Sequence, residues 1–543
     1  MLYWIPALLS RKGFNMEKDK PTQQTLLKGA VWLTLAGMAG KLLSAGYRIP
    51  LQNLTGDTGF YVYQQIYPFL SIAMMLALYG FPSAVSKIVV VITSRGQSLS
   101  WRSFYIPVFV LLSVIAGSIW IIMYLSAPKI AMMTGDPELV QTYRLASWIF
   151  LLIPLPALLR GTFQGIGLMQ ATAISQISEQ LLRLSVIITA AAGVYLWQQP
   201  VYTIGPGAVA ASCAGLLAAV MILLGFLIHY HPVTDEWFSV PWRYYVTTLV
   251  VLGTTAALNQ MVLVIIQLAD TFTLVPGLKA YGLSVDDARQ AKGVFDRGQP
   301  LIQLGTVLGS SFALALLPAL SGDKLKQEPD MMHQLIRSAS LISFYLAIGA
   351  TAGLIIIFPE TNRLLFQNTN GTDALRLLAL AVFLSSIGIT AASILQGLGY
   401  MKRTAAFVAI AFCLKWTANY ALVPFFGITG SALATVLSLT MFAGLMIVSL
   451  RRKLPELKVL QQVNWLALLL ALAGMIGFIL GVHYLTGPIV SRAGSAVYVI
   501  TMALAGAAIY SGLLLRLGAF REQDLSRLPL GWLFIRLHKE RNS

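Results

Sequence analysis

Charged side chains inside long apolar stretches are the residues of this sequence best able to do chemistry. Lys41 and Arg48 are seven residues apart, which on a helix places them on roughly one face. Arg297 opens a later apolar stretch. Arginine binds phosphate through two parallel hydrogen bonds and stays charged when dehydrated, so these cations predict an anion site, to which Gln65 would add a donor. The alternative for Arg48 and Arg297 is snorkelling to lipid headgroups.

A second set of charges predicts ion pairs. Glu179 and Arg183 are four residues apart, so they share a helix face and can pair. Asp270 is the natural partner for Lys415, because a charge at bilayer depth costs about 3 kcal/mol unless it has a partner or a wet cavity. The second pair can be static, can titrate during a cycle, or can place a lysine where a coupling cation would bind.

These charges must be held by membrane helices. Of 543 residues, 57% are hydrophobic and 11% are charged, whereas soluble domains carry about 25% charged residues. Too few polar side chains remain to cover a soluble surface. The sequence predicts an all-α polytopic membrane protein with about 14 transmembrane helices, each formed by roughly 20 apolar residues.

An internal repeat predicts how these helices are arranged. Residues 164–173 and 396–405 share the pattern Gln-Gly-x-Gly-x-Met-x-x-Thr-Ala, and the same offset of 232 places Arg183 on Lys415. The offset relates spans 1–6 to spans 7–12. Because six is an even number, the halves are predicted to be parallel repeats, with substrate bound between them near the midplane. Two C-terminal helices follow the repeat.

The basic residues predict the topology and the domain limits. Most of the 38 Lys and Arg residues, including Arg160, fall on alternate segments that would face the cytoplasm, so both termini are predicted to be cytoplasmic. Met16 reads like a natural start. The predicted regions are a tail at 1–24, an N-lobe at 25–230, a linker at 231–243, a C-lobe at 244–450, a basic linker at 451–462, two helices at 463–517 and a tail at 518–543.

Several classes of function are not expected. No catalytic residue, metal site or cofactor is predicted, and no glycine-rich nucleotide loop with its lysine is present, which argues against ATP hydrolysis. The cytoplasmic positions of the basic residues account for the net charge of +17 without nucleic acid as a partner. The expected partners are a substrate and anionic membrane lipids, and the protein is expected to be a monomer.

The sequence resembles the multidrug/oligosaccharidyl-lipid/polysaccharide (MOP) exporter superfamily. Within it, the chain is similar to the polysaccharide-biosynthesis branch that contains the stage V sporulation protein B group and the MurJ-type lipid II flippases. The resemblance covers about residues 25–520. It rests on the order of the spans, two repeats of six followed by two more, and on the repeated Gln-Gly-x-Gly motif. It also rests on the stretches 26–29, 67–69, 268–270, 295–297 and 316–321.

The resemblance implies specific site residues. In MurJ-type proteins, cations on spans 1, 2 and 8 line a central cavity for a diphosphate; Lys41, Arg48 and Arg297 match those of spans 1 and 8. The span-2 arginine has no counterpart in 71–77. A cation-coupling site on spans 7, 11 and 12 is matched at Asp270, Asn419 and Thr435, while Lys415 takes another ligand position.

The resemblance implies a non-enzymatic flippase for a polyprenyl-pyrophosphate-linked saccharide, such as lipid II, in the bacterial cytoplasmic membrane. The expected mechanism is alternating access through a cationic cavity, with direction supplied by Na⁺, H⁺ or membrane potential. The alternatives are a cation-coupled multidrug antiporter of the same fold, and a membrane glycosyltransferase or polysaccharide polymerase. An antiporter for cationic drugs would favour an acidic cavity, and a transferase would need acidic residues near an outer loop.

Overall fold

The computed structural model describes residues 23–230, 233–234, 237–320, 329–457 and 459–520. These residues form helices joined by short turns, and the β-type contact among them is one isolated bridge between Ser100 and Thr234. The fold class predicted from the sequence, an all-α membrane protein, is therefore confirmed. The alternative start at Met16 and most of the predicted tails at 1–24 and 518–543 lie outside the described residues.

Eleven helical segments among the described residues are long and apolar enough to cross a membrane. Two of these, Trp32–Ser94 and Met401–Lys453, each cover two predicted spans. Each is interrupted by a glycine with non-helical angles, Gly56 at φ 69° and Gly427 at φ 57°. A residue with a side chain would be strained at these positive φ values, so glycine suits both turns. The exact count of fourteen spans stays a prediction.

Contacts divide the chain into two units, and the first comprises Met1–Lys279 with Met401–Phe412. Helix α7 packs along α8 and α1, and α3 packs against α6. Three π-helical turns interrupt the helices, at Leu76–Gly80, Trp101–Tyr105 and Thr248–Leu252. The helices of this unit are α1 (Gln23–Gly46), α2 (Arg48–Met75), α3 (Phe81–Ser94), α4 (Ile106–Met133), α5 (Val140–Ser147), α6 (Pro154–Gly165), α7 (Met169–Leu196), α8 (Ile204–Tyr230), α9 (Trp242–Thr247), α10 (Gly253–Gln260) and α11 (Val262–Ala280, whose last residue falls in the second unit).

The second unit comprises Ala280–Tyr400 and Cys413–Ser543. Helices α13, α14 and α16 pack on one another, and α18 packs along α19. A cluster of buried apolar residues joins α14 to these last two helices. The helices of this unit are α12 (Val285–Asp296), α13 (Gly298–Leu320), α14 (Pro329–Ile356), α15 (Phe358–Phe366), α16 (Thr372–Gly397), α17 (Met401–Lys453, which enters the unit at Cys413), α18 (Trp465–Thr486) and α19 (Arg492–Arg516).

The repeated motif forms the same helix end in both units. In the first, Leu168 N donates to Phe163 O at 2.8 Å, and Gly167 has φ 85°. In the second, Tyr400 N donates to Leu395 O at 2.9 Å, and the matching glycine has φ 91°. A left-handed glycine of this kind closes a helix by satisfying its last carbonyls. The sequence repeat therefore corresponds to a repeated helix–turn–helix structure.

One of the about 14 spans predicted from apolar length covers residues 244–274, and the structure divides it into shorter helices. That span is broken rather than continuous: a π-helical turn precedes α10, and Met261 leaves helical geometry with φ −111° and ψ 28°. Beside the break, Asn259 Nδ2 donates to the carbonyls of Thr255 at 2.8 Å and Met401 at 3.0 Å. Contacts also place this span with the first unit, whereas the repeat assigns it to the C-lobe at 244–450. The two units are defined by contacts and the two lobes by the sequence repeat, so the units do not test the lobes, which stay a prediction.

Candidate functional site

Arg48 lies in a cage of tyrosine rings in the first unit. It opens α2 and is fully buried, with 0% of its surface exposed. Its guanidinium lies over the Tyr67 ring, 4.0 Å from the centroid, and its Nη2 donates to Ser44 Oγ at 3.5 Å. The hydroxyls of Tyr47 and Tyr63 contact each other within the same cage. A desolvated cation–π contact contributes about 2 kcal/mol, so the rings hold this charge with no acidic partner among the described residues.

Lys41 precedes Arg48 on an almost continuous helical stretch. Tyr47 N donates to Leu43 O at 3.2 Å, and Leu51 N donates to Tyr47 O at 3.1 Å, so α1 runs into α2 without a break in the hydrogen bonding. The seven-residue relation between the two cations is therefore kept. Lys41 is half-buried, unlike Arg48.

Gln65 belongs to a buried chain of hydrogen bonds in the first unit. Its Nε2 donates to the Tyr61 hydroxyl at 3.3 Å, and Tyr61 donates to Asp136 Oδ2 at 2.9 Å. Tyr202 donates to the same oxygen at 2.7 Å. Gln65 thus has a protein partner, and its role as a ligand donor stays a prediction.

Arg297 lies in the second unit, at the junction of α12 and α13. Its Nη1 donates to Asn368 Oδ1 at 2.7 Å and to Asn362 Oδ1 at 3.4 Å, and its guanidinium lies 5.4 Å from the Phe366 ring centroid. It is 0% exposed. These contacts hold the loop after α15 against the end of α12. A cavity shared by Lys41, Arg48 and Arg297 would involve both units and stays a prediction.

The predicted pair of Glu179 with Arg183 is wrong. Glu179 Oε2 instead accepts from Arg160 Nη2 at 2.7 Å, and both side chains are buried. Arg160 also donates through Nε to Ser175 Oγ at 3.1 Å and through Nη1 to Ala77 O at 3.3 Å. A residue spacing of four brings side chains to one helix face, but here the neighbouring helix α6 supplies the partner of the Glu179 carboxylate. The sequence prediction counted Arg160 among loop cations; its place inside the apolar stretch 139–163 was the signal for burial.

Arg183 points away from Glu179 and towards α2. Its guanidinium contacts Gln180 Oε1, one turn earlier on α7, and Met74 Sδ. It is 4% exposed.

Lys415 is surrounded by oxygen atoms in the second unit. Its Nζ donates to Asn419 Oδ1 at 3.1 Å and to Thr435 Oγ1 at 2.8 Å. It also donates to the carbonyl of Ser431 at 2.8 Å and to the Ser431 hydroxyl at 2.9 Å, and it lies 5.7 Å from the Phe295 ring centroid. The ammonium therefore occupies a cation position defined by two helical segments on either side of Gly427. Sequence reasoning placed Asn419 and Thr435 with Lys415 but missed Ser431.

Asp270 lies on α11 in the first unit and is 1% exposed. Its proposed partner Lys415 belongs to the second unit, so their pairing stays a prediction. The second unit also contains a buried ion pair on α12, in which Lys292 Nζ lies 2.6 Å from Asp296 Oδ2.

Solved transporter structures share this fold. The chain matches the structure titled "Lipid II flippase MurJ, inward closed conformation" with a TM-score of 0.64 and 13% identity, covering 90% of this chain and 99% of that one. It matches an inward-facing multidrug resistance MATE family transporter of the MOP superfamily with a TM-score of 0.61 and 17% identity, covering 77% and 95%. With its many apolar helices, the protein is a multi-pass, all-α membrane protein with the fold of these two structures.

Comparison of the sequence with known proteins identifies the family. The family model described as "Polysaccharide biosynthesis protein" matches residues 26–322. The chain is 36% identical over 517 residues to the uncharacterized membrane protein YabM of Bacillus subtilis, covering 93% of this chain and 95% of the relative. It is 24% identical over 533 residues to the lipid II flippase MurJ of the same organism, covering 93% and 97%. The chain belongs to the polysaccharide biosynthesis protein family.

Proposed function

We propose that this protein is a flippase for a polyprenyl-pyrophosphate-linked saccharide, a cell-wall or polysaccharide precursor such as lipid II, in the bacterial cytoplasmic membrane. The observation that carries this proposal is the buried guanidinium of Arg48, held by aromatic rings rather than by a carboxylate. A permanent cation kept in this way can attract an anionic headgroup. The similarity to a relative named as a lipid II flippase supports the same substrate class.

The mechanism is alternating access with the polar headgroup inside the protein and the lipid tail in the bilayer. Lys41, Arg48 and Arg297 attract the diphosphate, and Gln65 adds a donor. The two repeats then move relative to each other, as in other transporters built from parallel repeats. The protein acts as a monomer with both termini in the cytoplasm, and its basic loops bind anionic lipids.

The ammonium group of Lys415 takes the place that a coupling cation would otherwise occupy. Its ammonium already satisfies Asn419, Ser431 and Thr435. A second cation at the same place would be repelled. Direction therefore comes from the membrane potential or from protons rather than from sodium binding at this position.

The charge of the cage distinguishes this proposal from the two alternatives. An exporter of cationic drugs needs anionic side chains at its substrate site, whereas the Arg48 cage has the opposite charge. A glycosyltransferase or polymerase needs a carboxylate near a loop. Asp57, the acidic residue predicted for the first outer loop, lies within α2 beside the Gly56 kink and accepts a hydrogen bond from Gln52 at 2.9 Å.

Replacing either Lys41 or Arg297 with alanine is expected to slow flipping by about tenfold or more, because each loses a charge-assisted contact of about 1.5–3 kcal/mol. The measurement is translocation of a fluorescent lipid-linked saccharide in proteoliposomes. The matched controls are Lys279→Ala and Arg144→Ala, which remove exposed cations and should leave the rate unchanged. Wild-type rates in both Lys41→Ala and Arg297→Ala would contradict the cationic cavity.

A further inference from the structure

The two cations that the repeat makes equivalent have different surroundings. Arg183 and Lys415 are 232 residues apart and occupy the same place in the two repeats. Lys415 Nζ is bonded to four oxygen atoms. Arg183 faces a narrow cavity instead. The second repeat therefore satisfies its cation internally, whereas the first leaves a buried cation beside open space.

The cavity beside Arg183 adjoins the Arg48 cage. Its wall includes Tyr67 and Met74 from α2, and small residues of α8, Ala208 and Ala211, where larger side chains would fill the space. Tyr67 is shared, since its ring also carries the guanidinium of Arg48 at 4.0 Å. The two arginines thus approach one tyrosine from different helices.

Both arginines retain unused donors. Within the part of the chain that the structure describes, Arg48 Nε and Nη1 and Arg183 Nε have no hydrogen-bond partner, although all three atoms are shielded from solvent. A buried, permanently charged donor without a partner is unfavourable, and proteins ordinarily avoid it. Here two such groups lie near one tyrosine, Tyr67, and no carboxylate among the described residues forms an ion pair with either of them. This arrangement indicates that a ligand completes the site.

We propose that Arg48, Tyr67 and Arg183 form a binding site for a phosphate group within the first unit, with Arg183 as its second cation. Two guanidinium forks and a hydroxyl supply the positive charge and the hydrogen-bond donors that the oxygen atoms of an anionic phosphate group accept, whereas a single carboxylate would use one fork. The inference rests on the proposed function insofar as the phosphate belongs to a lipid-linked pyrophosphate. An anionic phospholipid headgroup has the same chemistry.

The site is contracted in the state described. Its free volume is about 10 Å³, which admits about one water molecule. A phosphate group is larger, so its entry requires the walls to separate. The contact between the Tyr47 and Tyr63 hydroxyls belongs to that wall and joins the end of α1 to α2. Phosphate binding and separation of these two tyrosines should therefore occur together.

Calorimetric titration of the purified full-length protein with inorganic pyrophosphate tests the site. Arg183→Gln keeps the polar shape but removes the charge, and it should weaken binding at least tenfold, whereas Arg183→Lys should recover part of the loss. The matched control is Arg144→Gln, because the Arg144 guanidinium also lies over a tyrosine, Tyr124 at 5.7 Å, but is exposed. The control should bind as the wild type does. Thermal unfolding of each variant establishes that it is folded.

The outcome separates this inference from the proposed function. Equal pyrophosphate affinity in wild type and folded Arg183→Gln would overturn the site, even if lipid-linked saccharide is flipped. Arg183-dependent binding in a protein that flips no lipid-linked saccharide would uphold the site and reject the flippase. Repeating the titration in nanodiscs of phosphatidylcholine, with and without phosphatidylglycerol, distinguishes the source of the phosphate. If phosphatidylglycerol weakens pyrophosphate binding, the site takes a bilayer headgroup. If phosphatidylglycerol leaves pyrophosphate binding unchanged, the site takes the substrate.

Discussion

Substituting alanine for Lys415 is expected to make transport sodium-dependent. The substitution removes an ammonium that satisfies oxygen atoms of Asn419, Ser431 and Thr435. Each acceptor that is left buried and unpaired costs about 1–3 kcal/mol. Oxygen atoms around an empty, cation-sized space suit a small hard cation. Sodium should therefore enter the variant and take the place of the missing charge.

The expected size of this effect is large. Without sodium, Lys415→Ala should flip substrate about 100-fold more slowly than wild type, equivalent to about 3 kcal/mol. Replacing choline chloride with sodium chloride should recover most of that loss. Wild type and the control Lys279→Ala should respond equally to both salts. A second readout needs no substrate: sodium should raise the thermal unfolding midpoint of Lys415→Ala alone. Sodium-independent activity in the variant, or sodium-dependent activity in wild type, would show that Lys415 does not replace a coupling ion.

Breaking the buried pair of Arg160 and Glu179 is expected to have the largest effect on stability. Arg160→Met leaves the Glu179 carboxylate buried without its cation, and Glu179→Gln leaves the guanidinium without its anion. Removing one partner of a buried pair lowers the free energy of unfolding by about 3–5 kcal/mol. The double variant Arg160→Met, Glu179→Met removes both charges and should regain most of that stability, because it leaves no isolated charge.

Thermal unfolding in detergent, followed by size-exclusion chromatography, measures these differences. The matched control is an ion pair with one exposed partner, Arg289 and Asp286, whose nearest atoms are 3.3 Å apart and whose side chains are 9% and 92% exposed. Asp286→Asn should change stability by no more than about 1 kcal/mol. A double variant as unstable as the less stable single variant would mean that Arg160 acts through Ser175 and Ala77 rather than through the carboxylate.

Most of the fold prediction rested on the length of the apolar segments and on the repeated glycines. Long apolar segments have few alternatives to membrane helices, and the left-handed conformations of Gly167 and Gly399 explain why their motif recurs. The break at Met261 was harder to predict. Beside the break, Asn259 donates a hydrogen bond to the carbonyl of Met401, which is distant in the sequence.

Helical spacing predicted only part of the site. Glu179 and Arg183 are four residues apart on α7, yet the carboxylate pairs with Arg160 instead. Lys415 and Asn419 are four residues apart, so helical spacing brings them together. Ser431 was missed because it reaches Lys415 from the segment of α17 after Gly427. Arg160 was missed because it reaches Glu179 from the neighbouring helix α6. The tyrosines at 63 and 67 also have helical spacing, but aromatic residues at that spacing more often form an ordinary core. Their cage is recognisable once Arg48 is placed over the Tyr67 ring.

The Arg160–Glu179 pair also bears on how the chain enters the membrane. The two residues lie on α6 and α7, which are consecutive helices joined by the turn at 166–168. Each charge alone opposes insertion by about 3 kcal/mol at bilayer depth. Paired, they cancel each other, and Arg183 is the one charge of the hairpin left outside the pair. Insertion into the bilayer is therefore most favourable when α6 and α7 enter together as one folded hairpin. This requires α6 to remain at the translocon until α7 has been synthesised.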